Sequence, residues 1–257
     1  MICTRSRGLF YLFFDVFHEI DSYFYGNFVF MALDDFHSLL KSLQPHSLLP
    51  RQISKDDYVP LNLSLDNQAL KSIDVGSVDE LQHYVWSVIK SQNAKVAYGG
   101  YLERRGIYQR SDYFNQADPA TERNIHLGLD LWIEAYTPVY APLEGTLHSY
   151  DNNTNFGDYG PCMILKHQFE DFEFYTLYGH LSLESLEGKQ VGEKIEKGQQ
   201  IATLGTAEVN GAYPPHLHFQ IIKDIQNYKG DYPGVSNLIE LDFYKENCPD
   251  PQLLFNL

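Results

Sequence analysis

Two histidines stand two residues apart in Pro214-Pro-His-Leu-His-Phe219, a segment that reads as strand. On a strand, His216 and His218 project from one face with Cα atoms about 6.6 Å apart, so their imidazoles can converge on one small volume. Zinc accepts imidazole nitrogen at about 2.0–2.1 Å, which makes the pair a candidate half of a metal site. Pro214 and Pro215 stiffen the approach, and Leu217 and Phe219 face the core. Alone, a His-x-His pair more often marks surface or packing histidines.

A second pair is His126 and Asp130, four apart in HLGLD. On a straight strand they would lie roughly 13 Å apart. Gly128, midway, lets the backbone bend and bring imidazole and carboxylate together. The alternative is a buried histidine capped by a nearby aspartate. His180 follows Gly179, behind the alternating residues Phe172, Phe174, Tyr175 and Leu177, and by itself reads as a loop histidine. The remaining six of the ten histidines, His148 and His167 among them, are read as surface or packing residues.

The elements that must position these residues change character near residue 95. Before it the chain reads mainly as helix. Leu33, Phe36, Leu39, Leu40 and Leu43 form one helical stripe. Ser77-Val-Asp-Glu80 has the form of a capping box and opens a helix carrying Leu81, Val85, Val88 and Ile89 to about Ser91. Between them Leu61, Leu63 and Leu65 alternate with polar residues, as in a short strand. After residue 95, short apolar runs alternate with turn residues; strands are expected at 138–150, 161–168, 172–178, 199–204 and 217–222. The segments VYAPLEGTL and KIEKGQQIATL look like two versions of one turn-strand unit.

Bulk properties narrow the partners. With 44% hydrophobic and 14% aromatic residues the chain can build a core, which argues against disorder. The formal net charge of -15 and the lack of a basic run argue against nucleic acid, whose phosphates need clustered Lys and Arg. Three cysteines, Cys3, Cys162 and Cys248, make no disulfide framework and are expected to be free thiols, which favours a reducing compartment. Arg5 and Arg7 precede the apolar stretch 8–14, but acidic residues interrupt it and no clean cleavage site follows. Seven apolar residues are also too few for a transmembrane segment. Residues 1–30 are read as a poorly structured leader or upstream start before Met31, or as a short docking helix.

HLGLD at 126–130, YGHLS at 178–182 and PPHLHFQI at 214–221, in this order, resemble the M23 family of zinc metallopeptidases, the lysostaphin-like and LytM-type peptidoglycan endopeptidases. TPVYAPLEGTL at 137–147 and GEKIEKGQQIATLG at 192–205 are similar to further family segments. The resemblance covers roughly residues 97–225. It implies that His126, Asp130 and His218 bind Zn2+, leaving a fourth position open for water, and that His180 and His216 are catalytic, without dividing base and oxyanion roles between them. It also implies a mainly β fold, an antiparallel, barrel-sandwich-like peptidase domain; with the residue patterns above, this domain is expected over 96–257 with a C-terminal tail, after the mainly α-helical N-terminal extension read over 1–95.

The implied activity is zinc-dependent endopeptidase cleavage of peptidoglycan cross-links or stem peptides. Two alternatives stand beside it: an intracellular zinc peptidase or amide hydrolase on a small peptide-like substrate, and a non-hydrolytic regulator of a cell-wall hydrolase. The resemblance favours the cell envelope, whereas the missing clean signal favours the cytoplasm. Where the family has glycine before PVYA and Gly-Pro before HLH, this chain has Tyr136 nearby and Pro214-Pro215. Thr206–Tyr213 replaces the family's Gly- and Ser-rich stretch. These departures bear on substrate preference rather than on the zinc chemistry.

Overall fold

The computed structural model describes residues 35–112, 114, 118 and 120–257. The expected leader 1–30, Leu33 of the helical stripe and Cys3 lie outside the described residues. The chain divides into two compact units between Leu43 and Gln44. In the first, residues 35–42 are helical (α1), and Phe36, Leu39 and Leu40 of the expected stripe are buried.

The described residues of the second unit form twelve strands: β1 (Tyr58–Pro60), β2 (Val96–Gly99), β3 (Ile125–His126), β4 (Leu129–Trp132), β5 (Pro138–Tyr140), β6 (Gly145–Asn153), β7 (Gly160–Phe169), β8 (Phe172–Gly179), β9 (Lys194–Ile195), β10 (Gln200–Thr203), β11 (His216–Ile222) and β12 (Val235–Ser236). Its α-helices are α2 (Val78–Ser91), α3 (Leu241–Asn247) and α4 (Gln252–Phe255). Eight strands form one sheet in the order β1-β2-β4-β11-β8-β7-β6-β9. Its pairs are antiparallel except β1–β2, which is parallel and makes the sheet mixed. The mainly β expectation holds. Among the described residues no helix is long and apolar enough to cross a membrane.

The central strand, β11, is buried at every position. Its neighbour β4 is too, so the strands that carry the candidate residues cannot slip register without exposing apolar side chains. The two turn-strand units pair with each other: β5 lies antiparallel to β10, and β6 to β9. The strand expected over 138–150 breaks at Ala141–Glu144, where Pro142 has no N–H for a ladder. The β7–β8 hairpin turns at Glu170, whose φ is +52°.

Helix α2 buries Leu81, Val85 and Ile89, one stripe at i, i+4, i+8. They pack with Val59, Leu61, Leu63, Ala97, Ile107 and Trp132, the valine, leucine and isoleucine side chains each worth about 1.5–3 kcal/mol when fully buried. Ser77 Oγ caps the helix by accepting from Glu80 N, but the Glu80 carboxylate accepts from Asp74 N at 2.7 Å instead of returning to Ser77. The short strand expected at Leu61–Leu65 is displaced: the ladder runs over Tyr58–Pro60, and Leu65 is exposed. Leu61 and Leu63 are buried as the alternation requires, but only an isolated bridge at Ser64 continues the pairing. Cys162 and Cys248 are buried free thiols.

Candidate metal centre

The β4–β11 register sets Asp130 directly opposite His218, and Trp132 opposite His216. Such cross-strand positions hold their Cβ atoms about 4.5–5.5 Å apart. On the other flank His218 pairs with Gly179 at the end of β8, so His180 leaves that strand beside the same site. His126 reaches in from β3, and Leu127-Gly128 carries the chain from it into β4. Gly128 does more than permit a bend. A Cβ on it would stand 2.6 Å from His218 Cε1, so its lack of a side chain makes room for that imidazole.

His126, Asp130 and His218 form a buried group whose donor atoms all lie within 4.8 Å of one another. His126 Nε2 is 2.8 Å from His218 Nδ1 and 3.2 Å from Asp130 Oδ1; His218 Nδ1 is 3.3 Å from the same oxygen. The far side of each ring fixes its tautomer. His126 Nδ1 donates to Gly100 O at 3.0 Å. His218 Nε2 donates to Gln220 Oε1 at 2.9 Å, and the Gln220 amide is oriented by donating from Nε2 to Pro233 O. Burial, reinforced by the charge of Arg105, pushes His126 down to about 4, so the ring is neutral near pH 7.

The neutral His126 ring, protonated on its far nitrogen, presents a lone pair at Nε2, and His218 turns Nδ1 to the same point. Both nitrogens face the carboxylate, and buried Asp130 Oδ1 has no hydrogen-bond partner. Burial alone would raise the Asp130 pKa; positive charge from His126 when protonated and from Arg105 outweighs it and holds the carboxyl well below the usual range. A buried carboxylate oxygen left without a hydrogen-bond partner is costly unless a cation sits beside it, and two imidazole nitrogens complete its surroundings. The nitrogen-nitrogen-oxygen donor set suits a borderline ion such as zinc. The residues fit the metal.

The other two candidates border this trio. His216 Nε2 is 3.9 Å from Asp130 Oδ1, and the His180 and His216 rings have centroids 4.2 Å apart. His216 stacks on Trp132 at 3.9 Å, and its Nδ1 donates to Pro214 O at 2.8 Å. His180 Nδ1 donates to Asn210 O at 2.8 Å. His180 has φ +63°, a left-handed conformation rare for a residue with a side chain. Burial pushes His216 to about 4 and His180 well below the ordinary histidine value. All five predicted residues therefore meet around one cavity, whose walls include Tyr108, Trp132, Tyr159, Tyr213, Tyr228 and Tyr232.

Arg105, Glu103 and Gln220 escaped the sequence reading. Arg105 donates from Nη1 to Asp130 Oδ2 at 2.6 Å and from Nε to Glu103 Oε2 at 2.7 Å. Gln220 could have been noticed, since it stands two after His218 on the same strand face. Arg105 carries no comparable signal. His167, read as packing, is buried between Glu144 O and the Thr176 hydroxyl, whereas His148 is partly exposed.

Residues 124–230 match peptidase family M23. Over 107 residues the chain is 32% identical to a Haemophilus influenzae protein described as an uncharacterized metalloprotease, covering 41% of this chain and 20% of that protein. The chain thus spans about a fifth of the length of the curated relative it matches. Among solved structures, similarity extends to the catalytic domain of the antimicrobial peptidase lysostaphin from Staphylococcus simulans, at 23% identity and a TM-score of 0.32, covering 48% of this chain and 80% of that one. A zinc-containing peptidase from Vibrio cholerae is similar at 26% identity and a TM-score of 0.31, covering 42% and 30% of the two chains. HLGLD, YGH and HLHF all fall inside the 124–230 segment that matches peptidase family M23, and their side chains meet in one buried site.

Proposed function

We propose that the chain is a zinc-dependent metalloendopeptidase that hydrolyses peptide bonds in peptidoglycan cross-links or stem peptides. The observation that supports it is the convergence of His126 Nε2, Asp130 Oδ1 and His218 Nδ1 at one buried point, with Asp130 Oδ1 left without a hydrogen-bond partner. These three atoms would hold the ion. Bound there, zinc would polarise the scissile carbonyl and lower the pKa of a coordinated water towards about 7.

His180 and His216 do the proton work in this reading. Each has its Nδ1 hydrogen engaged by a backbone carbonyl, so each keeps a basic Nε2. His216 directs that nitrogen towards Asp130 Oδ1. Their lowered pKa values leave both rings neutral and able to accept a proton at pH 7. One ring takes the proton of the attacking water as the new C–O bond forms, and the proton passes to the leaving amine as the C–N bond breaks. While one ring holds that proton, the pair stabilises the negative charge on the carbonyl oxygen. Family resemblance supports a cell-wall substrate; Thr206–Tyr213, whose Tyr213 packs edge-on against His180 and His216, bears on which peptide is accepted.

Incubating the zinc-loaded protein with cell-wall fragments, with and without chelator, tests the reading. Fragment release that chelator abolishes and zinc restores is expected. Cell-wall fragments left intact while short peptides are cut would shift the substrate to small peptide-like molecules, and activation of a partner amidase without cleavage of either would make the chain a regulator.

A further inference from the structure

Arg105 lies in Glu103-Arg-Arg-Gly106, between β2 and the 3-10 turn Ile107–Arg110, well outside the three metal-site motifs. Its neighbour Arg104 is exposed, whereas Arg105 is 4% exposed. The backbone is pinned there: Arg105 N donates to Asn124 O at 2.9 Å, and residue 104 bridges to Ile125 on β3. The same strand carries His126 at its next position, so the loop bearing Arg105 and the strand bearing one ligand are tied together.

The guanidinium is held at two points by two carboxylates. Nη1 donates to Asp130 Oδ2 at 2.6 Å, and Nε donates to Glu103 Oε2 at 2.7 Å. Glu103 is fixed in turn, since its Oε1 accepts from Leu63 N at 2.7 Å. A planar fork aimed in two directions removes the rotational freedom of what it binds. For Asp130 this leaves a definite division: Oδ2 is engaged by Arg105, and Oδ1 faces His126 and His218. A carboxylate free to turn about its Cβ–Cγ bond could instead offer both oxygens to one ion.

We propose that Arg105 is a positioning residue that fixes Asp130 as a one-oxygen donor towards the metal held with His126 and His218. Each ligand then has an outer partner on the side away from the ion: Gly100 O for His126, Arg105 for Asp130 and Gln220 for His218. Partners of this kind orient ligands and set how tightly a metal is held. The inference rests on the metal reading above, and the experiment separates the two.

Arg105→Lys keeps the charge but replaces the fork with a point donor that cannot bond both carboxylates in the same geometry. The variant is checked for folding by circular dichroism. Zinc affinity is then measured by competition with a chromogenic chelator, and the visible absorption of the cobalt(II) form is recorded. The expected result is zinc binding weaker by ~10–100-fold and a changed cobalt(II) spectrum, because the coordination of Asp130 has changed. A purely structural part for Arg105 would lower the melting temperature and leave both readouts unmoved. A folded Arg105→Lys protein with unaltered zinc affinity and cobalt(II) spectrum overturns the proposal. If it does not fold, the double variant Glu103→Gln with Arg105→Gln, which removes one charge of each sign, is judged by the same two outcomes. Failure of the unaltered chain to bind zinc at all would overturn the metal reading itself.

Discussion

Asp130 and His218 face each other across the β4–β11 ladder, with His218 Nδ1 3.3 Å from Asp130 Oδ1 and His126 Nε2 closing the triangle. Without a cation Asp130 Oδ1 has no hydrogen-bond partner. Binding to the folded state alone stabilises it by mass action, so zinc is expected to raise the melting temperature of the unaltered chain. His218→Ala removes one donor atom of the trio. Its melting temperature without metal should stay close to that of the unaltered chain, while the zinc-dependent rise disappears. Asp130→Asn should lose zinc and also weaken the metal-free fold by a few kcal/mol, because buried Arg105 is left beside a neutral amide. Thermal scans with and without zinc check both. An undiminished zinc response in His218→Ala would remove that residue from the ligand set.

His180 and His216 lie beside the trio without belonging to it. Each is anchored by a backbone carbonyl on its Nδ1, so replacing either leaves the three donor atoms in place. His180→Ala and His216→Ala are expected to retain zinc and to lower kcat by ~10²–10⁴-fold, the usual worth of a positioned proton-transfer group. Metal analysis beside single-turnover kinetics separates binding from chemistry. A variant that loses zinc in step with activity would assign that histidine to metal binding.

How much of this was legible in the sequence depends on how far each signal had to travel. Strand alternation and the two-residue step place His216 and His218 on one face, and Gly128 marks where HLGLD must yield. Local chemistry also locates α2, whose N-cap Ser77 and stripe of Leu81, Val85 and Ile89 fall where expected. The pairing of β5 with β10 gives the similarity between VYAPLEGTL and KIEKGQQIATL a structural meaning, since the two units clasp each other. Arg105 was invisible for a physical reason. Its partner Asp130 is 25 residues away, and nothing local says that Arg105 turns inward while Arg104 faces water. The displaced strand near Leu61 has a similar cause. Alternation records which side chains are buried, but the parallel partner β2 determines where the ladder forms.

His167 offers a pH test away from the metal site. Its ring is fully buried, donating from Nδ1 to Glu144 O at 2.7 Å with Nε2 2.7 Å from the Thr176 hydroxyl. Burial pushes it down to about 4, whereas in the unfolded chain it titrates near 6.5. Between those values the unfolded chain binds more protons, so stability falls as pH drops from about 6.5 towards 4. The full loss from this one group is on the order of 3 kcal/mol, at about 1.4 kcal/mol per pH unit. His167→Gln should be less stable at pH 7.5 but lose less on going to pH 4.5. Urea unfolding of both proteins at the two pH values measures the difference. Equal losses would mean that His167 takes up its proton without unfolding.

Gly128→Ala puts the steric reading of HLGLD to the test. The new Cβ would lie 2.6 Å from His218 Cε1, 2.7 Å from His218 Nε2 and 2.8 Å from Phe219 O. Neither obstacle yields easily: the imidazole is tied to Gln220, and the carbonyl belongs to the central strand. Overpacking of this kind costs about 1–3 kcal/mol. The strain should fall on His218, so zinc affinity should drop along with stability. A second substitution that removes the imidazole, His218→Ala in the Gly128→Ala background, should recover the part of the loss due to the ring, with the Phe219 O contact remaining, while leaving zinc unbound. Chelator competition and urea unfolding read the two quantities separately. If Gly128→Ala binds zinc normally and unfolds at the same urea concentration as the unaltered chain, the glycine is there for the bend alone and the close approach to His218 has no consequence.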